Sequence, residues 1–164
     1  VLGDTDRTPL SLHALELHTV LSAHGAQVRT MALAPGQLGG LDGTVPVLGP
    51  TPSSLASRLQ LGREQRWADS VVCFGLAAAR SHVRSPGRRR VVSIAVCESA
   101  PVGRRDARAL ARVDLVAQGG CGAPVEGAVE AFTGTAAAPD TALSGAEVAR
   151  MWGDLLAEAR SRAG

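Results

Sequence analysis

The stretch that most constrains this chain is residues 1–35, VLGDTDRTPLSLHALELHTVLSAHGAQVRTMALAP. It reads as the end of a strand, an acidic turn, an amphipathic helix, a glycine stop and a second strand. The helix is expected to start near Thr8 or Pro9, because proline is tolerated in the first helical turn, where the backbone N–H lacks an intrahelical partner anyway. Leu10, Ala14, Leu17 and Leu21 recur at i, i+4, i+7 and i+11 and lay one apolar stripe along it. Gly25 then ends the helix as a left-handed cap, and residues 28–33 follow as a strand. Strand, helix and strand in this order make the opening βαβ unit of a doubly wound domain. In such folds ligands sit outside the carboxyl ends of the strands, so the turn at residues 3–7 is the first place to look for function.

The same alternation continues downstream. A glycine-rich loop at 37–43 leads to a short strand at 45–48. Thr51-Pro52 reads as an N-cap with proline at the first helical position, opening a helix that carries Leu55 and Leu59 and runs to Trp67. Residues 70–75 (SVVCFG) form a continuous apolar run ending in glycine, as a parallel strand buried on both faces does. A helix at 76–83 closed by Pro86-Gly87, a strand at 91–96, an Arg-rich helix at 104–112 and a strand at 114–117 extend the series. Ser144 and Glu147 have the spacing of a capping box. After them Val148, Met151, Trp152, Leu155, Leu156 and Ala159 fall on one helical face. The expected fold is α/β and Rossmann-like: a doubly wound, mostly parallel sheet with helices on both faces and a C-terminal amphipathic helix. Residues 1–120 form the domain, 121–143 read as a loop or linker, and 144–162 as a helix packing back on the domain.

Composition narrows the function classes. The chain has 164 residues, enough for one domain with a real core, but only two Phe, two Trp and no Tyr. Its interior must be built mostly from Ala, Val and Leu. All 17 basic residues are Arg, set against 15 acidic ones, for a net charge of +2. With no basic face and few aromatics to stack on bases, nucleic-acid binding is disfavoured. Cys73, Cys97 and Cys121 are widely spaced and not in CxxC spacing, and Cys73 and Cys97, in or beside apolar runs, read as buried thiols. No apolar run is long enough to cross a membrane and no signal peptide is visible, so a soluble cytoplasmic protein is expected. No Walker loop, G-x-G-x-x-G or G-x-S-x-G is present, Gly39-Gly40 stands in a loop without the required strand and helix, and no cofactor is expected. No metal site is expected either: His13 and His18 are five apart, off the i, i+4 face that two ligands need.

Laid out in order, these elements resemble the N-terminal domain of GT-B-fold glycosyltransferases of the retaining, family-four kind. PLSLHALELHTVLSAHGAQVRTMAL is similar to that domain's first helix and second strand, with its E-L-A-x-x-L-A-x-x-G-H-x-V pattern. Glu16, Leu17, Leu21, Gly25 and Val28 hold those places, with Ala26-Gln27 where the family's His begins the turn. RWADSVVCFG is similar to the strand D-V-V-x-x-H-G, and RDARALARVDLVAQG to R-R-A-D-x-V-V-A-x-S. Together the pieces cover about residues 1–120. The resemblance implies the acceptor-side half of an enzyme that moves sugar from a nucleotide-sugar donor, with the donor bound only when a second domain is present. Nothing after Gly119 reads as that second doubly wound unit, which implies an incomplete enzyme, inactive alone, whose last helix is the family's crossing helix. The first turn also departs from the family, which has Gly-Gly and a following Glu near phosphate. Here Asp4-Thr5-Asp6-Arg7 brings two carboxylates that repel a phosphate. Cys73-Phe74 stands where the family often has His. The alternative is a non-enzymatic flavodoxin-like or stress-protein-like binding module. An outward-facing Met151/Trp152 surface, serving a partner or a second copy in a homo-oligomer, would favour it.

Candidate ligand-binding residues follow from position at the strand ends. Asp4 and Asp6 either contact acceptor hydroxyls, bind a metal or cap the turn. Arg7 offers a guanidinium fork to an anion or pairs with the neighbouring Asp residues. His13 lies one turn into the first helix, near the same edge, whereas His24 lies at the far end. Gly75 leaves room for a ligand, and Glu98 and Ser99 follow the next strand into the same cleft. His18 and His82 read as surface residues, and Arg88 to Arg90, at a strand's amino end, as a solvated run. The catalytic residues themselves stay unassigned.

Overall fold

The computed structural model describes residues 2–3, 9–32, 55–88, 91–98, 100–101, 103–119, 125–131 and 143–164. Its elements are β1 (Leu2–Gly3), α1 (Pro9–Ala23), β2 (Met31–Ala32), α2 (Leu55–Gln65), β3 (Ser70–Phe74), α3 (Leu76–Arg84), β4 (Val92–Cys97), α4 (Arg104–Leu110), β5 (Leu115–Gln118), β6 (Val129–Glu130) and α5 (Gly145–Ala163). The loop read at 37–43, the strand at 45–48 and the Thr51-Pro52 cap lie outside the described residues. The strands form one sheet in the order β2-β1-β3-β4-β5-β6, and every pairing is parallel. This is the expected doubly wound α/β architecture. One element was not anticipated: β6 falls within 121–143, where Val129 and Glu130 pair with Ala117 and Gln118. Part of that stretch is therefore sheet edge, with too few residues to show a periodicity of its own.

Alternation along β3, β4 and β5 divides the core into two layers. Val72, Phe74, Ile94, Val96, Leu115 and Ala117 face α1 and α5. Val71, Cys73, Ala95 and Cys97 face α2, α3 and α4. The two layers differ in grain. Ala78 and Ala79 of α3 pack on Cys73, Ala95 and Cys97, so small residues on both sides bring that helix close to the sheet. The opposite layer holds Phe74, Ile94, Leu115 and Trp152, among the largest buried side chains. Strands covered on both faces carry unbroken apolar runs, which is why β3 and β4 were readable from sequence.

α1 begins at Pro9 as expected, and Ala14 and Leu17 are fully buried. Gly25 has φ +87°, the left-handed stop that the sequence called for. α5 starts with its capping box: Ser144 Oγ accepts from the Glu147 N–H at 3.3 Å, and Glu147 Oε2 accepts from the Ser144 N–H at 2.8 Å. The Ser144 hydroxyl also donates to Glu147 Oε2 at 2.7 Å, and this bond together with that from the Ser144 N–H holds the Glu147 carboxyl below its usual range. The buried face of α5 is Val148, Trp152, Leu155 and Ala159, and it packs on β4, β5 and α1. Trp152 is thus fully buried against Phe74, with ring centroids 6.2 Å apart, so it is no part of an outward-facing surface.

α2 departs from its apolar pattern. Leu55 and Leu59 are 68% and 52% exposed, and the buried face is instead Ser57, Leu61, Gly62 and Gln65. The reason is what α2 docks against, the turn between α3 and β4. A Cβ on Gly62 would lie 2.8 Å from Pro86 Cγ and 3.1 Å from Pro86 Cδ. Alanine in a helix interior normally gains about 1 kcal/mol over glycine. Here the rigid proline ring cannot yield, and overpacking of this kind costs about 1–3 kcal/mol. Gly62→Ala is therefore expected to lose about 1 kcal/mol in a urea melt. A gain would show that α2 shifts freely on the turn.

Gln65 completes that junction. Its Nε2 donates to His82 Nδ1 at 2.7 Å, its Oε1 accepts from the Ser85 hydroxyl, and the Gly87 N–H donates to Ser85 Oγ at 3.3 Å. His82 is 1% exposed, a correction to its reading as a surface residue. His18 is also corrected: it is half-buried, and its Nδ1 lies 2.8 Å from Thr30 Oγ1, tying α1 to the approach of β2.

Candidate functional site at the carboxyl edge of the sheet

The strand order reverses between β1 and β3, with β2 on one side of that junction and β4 to β6 on the other. The carboxyl ends of β1 and β3 therefore flank the crevice where doubly wound folds bind ligands. On the β3 side the chain passes from Phe74 into α3 through Gly75, which has φ 91° and ψ 158°. That backbone conformation is essentially restricted to glycine. The Gly75 N–H donates to the Val96 carbonyl at 2.9 Å, and its own carbonyl accepts from the Ala79 N–H at 3.1 Å. Gly75 is the N-cap of α3, and no side chain caps the helix there. The first-turn N–H groups of α3 therefore receive no side-chain acceptor from the N-cap.

Glu98 follows the last residue of β4 and is half-buried. Beside it, the Cys97 carbonyl accepts from the Gly119 N–H at 3.1 Å, which joins the ends of β4 and β5. The same edge carries Gln118, whose Oε1 accepts from the Val125 N–H at 2.9 Å and so fixes the segment leading to β6. Arg80 of α3 and Asp106 of α4 form an ion pair at 2.5 Å across the neighbouring helices. Sequence reasoning missed both Gln118 and this pair. Arg80 and Asp106 each look like ordinary surface charges until the fold sets α3 beside α4.

His13 lies on the α1 side of the sheet, 8% exposed, with Nδ1 3.5 Å from Glu16 Oε2. It belongs to the same end of the fold as Gly75 and Glu98, but to the opposite layer of helices. Asp4, Asp6, Arg7 and Ser99 lie outside the described residues, as does Cys121.

The cysteines near this edge are not nucleophiles in waiting. Burial pushes the Cys73 thiol up to about 12 and the Cys97 thiol up to about 11, with Asp106 adding to the second. A thiol so disfavoured from ionising is a small core residue. Among the described residues no group of three or more His, Cys, Asp or Glu is placed to hold a metal ion. Among them, too, no helix is long and apolar enough to cross a membrane.

The carboxyl edge thus brings together the start of α3 at Gly75, which has no side-chain cap, and the half-buried Glu98, and among the described residues it holds no activated nucleophile. A cavity of about 450 Å³ lies at the other, amino end of the sheet. No family model matches the chain, and neither the curated proteins nor the solved structures contain a significant match to it.

Proposed function

We propose that this chain is the acceptor-side, Rossmann-like half of a GT-B-type glycosyltransferase, binding a sugar acceptor at the carboxyl edge that carries Gly75 and Glu98. In this reading a second doubly wound domain supplies the nucleotide-sugar site, and the chain alone transfers nothing. The supporting observation is the seat of α5. It lies on the sheet beside α1 with Trp152 buried, the place a crossing helix takes when it returns to the first domain. Polar groups at the carboxyl edge, such as the half-buried Glu98, suit an acceptor subsite, because an acceptor needs orientation before it needs activation.

The test has two parts. Ligand-observed NMR with a panel of mono- and oligosaccharides is expected to show weak binding, with amide shifts centred on Gly75 and Glu98. Incubation with labelled nucleotide sugars is expected to give neither hydrolysis nor transfer. Transfer by the chain alone would defeat the reading of it as half an enzyme, and a sugar panel without shifts at Gly75 and Glu98 would defeat the acceptor site. A second reading, a non-enzymatic flavodoxin-like binding module, is favoured by the strand order. Among the described residues the order is β2-β1-β3-β4-β5-β6, with a single reversal at β1/β3. That reading gains if the sugar panel is silent.

A further inference from the structure

The net charge of +2 conceals an uneven distribution over the fold. With His taken as neutral, α2, α3 and α4 carry seven Arg against two acidic residues, a charge of +5. α1 and α5, on the opposite face of the sheet, carry three Arg against four acidic residues. Both acids of the basic layer are engaged, Glu64 with Arg29 and Asp106 with Arg80. Arg63, Arg104, Arg105 and Arg108 are exposed, and among the described residues none of them forms an ion pair. The expectation of a chain without a basic face is thus corrected, because the acids that offset these cations lie elsewhere in the fold.

The same layer carries the most exposed large apolar side chains, Leu55 and Leu59, one turn apart on the outward face of α2. Arg63 follows Leu59 by one further turn, so cation and leucine alternate along that face. This mixture discriminates between partners. The core of a protein–protein interface is depleted of charge, whereas here Arg63 and Arg58 stand among the leucines. A nucleic acid has no use for exposed leucines, and the exposed Trp67 already has the Arg29 guanidinium over its ring at 4.2 Å from the centroid. An anionic bilayer uses both kinds of group. Arginines pair with headgroups spread over a plane, and leucines enter the boundary between headgroups and acyl chains without needing a shaped pocket.

We propose that the face formed by α2, α3 and α4 docks on the surface of an anionic lipid bilayer. Leu55 and Leu59 enter the headgroup boundary, and Arg63, Arg104, Arg105 and Arg108 bind the anionic headgroups around them. The attachment is peripheral and reversible, and salt weakens it by screening the arginines. It also gives the outward leucines of α2 a role, since the inward face of that helix is filled by Ser57, Leu61, Gly62 and Gln65. This inference is independent of the glycosyltransferase reading.

Vesicle co-sedimentation tests it, with phosphatidylcholine alone and with about 30% phosphatidylserine added. The chain is expected to bind only the anionic vesicles and to be released as salt rises from about 0.1 M to about 0.5 M. Arg104→Gln/Arg105→Gln/Arg108→Gln is expected to weaken binding by at least about tenfold, and Leu55→Gln/Leu59→Gln by about tenfold. All five positions are exposed, so circular dichroism is expected to show an unchanged fold. Arg150→Gln/Arg160→Gln/Arg162→Gln removes the same charge from the opposite layer and is expected to bind as the parent does. An equal loss in that variant would overturn the proposal, because net charge and not this face would then govern binding. Equal binding to both kinds of vesicle, or full binding by the leucine variant, would overturn it too. Tighter binding to a DNA duplex than to the anionic vesicles would assign the face to a phosphate backbone instead.

Discussion

Trp152→Ala is expected to cost about 3–5 kcal/mol of stability, the range for deleting a large buried aromatic. Trp152 is the largest fully buried side chain and packs with Phe74, Val148 and Leu155 where α5 meets the sheet. Domains of this size are stable by about 5–15 kcal/mol, so such a loss removes a large share of the total. The comparison that gives the test its force is Trp152→Phe. Among the described residues the buried indole Nε1 has no hydrogen-bond partner, and an unmet buried donor costs about 1–3 kcal/mol. Phenylalanine removes that donor while keeping a ring against Phe74. The relief then offsets much of the lost volume, and the variant is expected within about 1 kcal/mol of the parent. Urea melts of the two variants separate the contributions. If Trp152→Phe costs as much as Trp152→Ala, the indole N–H is satisfied in solution. If Trp152→Ala is neutral, α5 does not seat on the sheet, and the support for a crossing helix goes with it.

What could be read from the sequence followed burial. β3, β4 and α5 were legible because apolar side chains outnumber everything else on their buried faces: Val72 and Phe74, Ile94 and Val96, Val148 and Leu155. Gly25 and Gly75 were legible because a stop and a strand end leave few alternatives to glycine. α2 misled for the opposite reason. Its buried face is Ser57, Gly62 and Gln65 as much as Leu61, chosen to fit a proline turn and a hydrogen-bond junction, while its leucines stay outside. Such a face has no hydrophobic signature. β6, at two residues, is defined by the strand it pairs with and not by its own pattern.

The candidate site was legible only by position. Gly75 and Glu98 follow strands whose carboxyl ends the topology brings together, and that much comes from counting elements. Gln118 holding Val125, and Arg80 pairing with Asp106, depend on which helices and loops become neighbours, and no local spacing encodes that. His82 is the instructive miss. Ala78, Ala79, His82 and Val83 fall at i, i+1, i+4 and i+5, so helical spacing alone places it on the buried stripe of α3. Its polarity argued for the surface, and the geometry of the helix prevailed because Gln65 supplied a partner.

His82 also sets how stability should respond to acid. Burial lowers its pKa from 6.5 to about 4, outweighing the opposing pull of Asp114. In the folded chain the neutral ring accepts the Gln65 N–H at Nδ1. Protonation would set N–H against N–H there. Turning the Gln65 amide to relieve that clash would point its N–H₂ at Ser85, which now donates to Gln65 Oε1. The unfolded chain takes up the proton near pH 6.5, whereas the folded one resists it until about 4. Stability from this group is therefore complete above pH 6.5 and is lost as the pH falls toward 4. The total is about 3 kcal/mol. Carboxylates titrate in the same range, so the measurement is a difference between the parent and His82→Asn. In that variant the side-chain oxygen can accept from Gln65 and nothing titrates. Urea melts from pH 7 to 4 are expected to show His82→Asn less stable at neutral pH, with a profile flatter than the parent's by about 3 kcal/mol over the interval. Parallel profiles would mean that His82 is protonated or solvent-reached in the folded state, and the Gln65–His82–Ser85 junction would no longer account for how α2 is held to the domain.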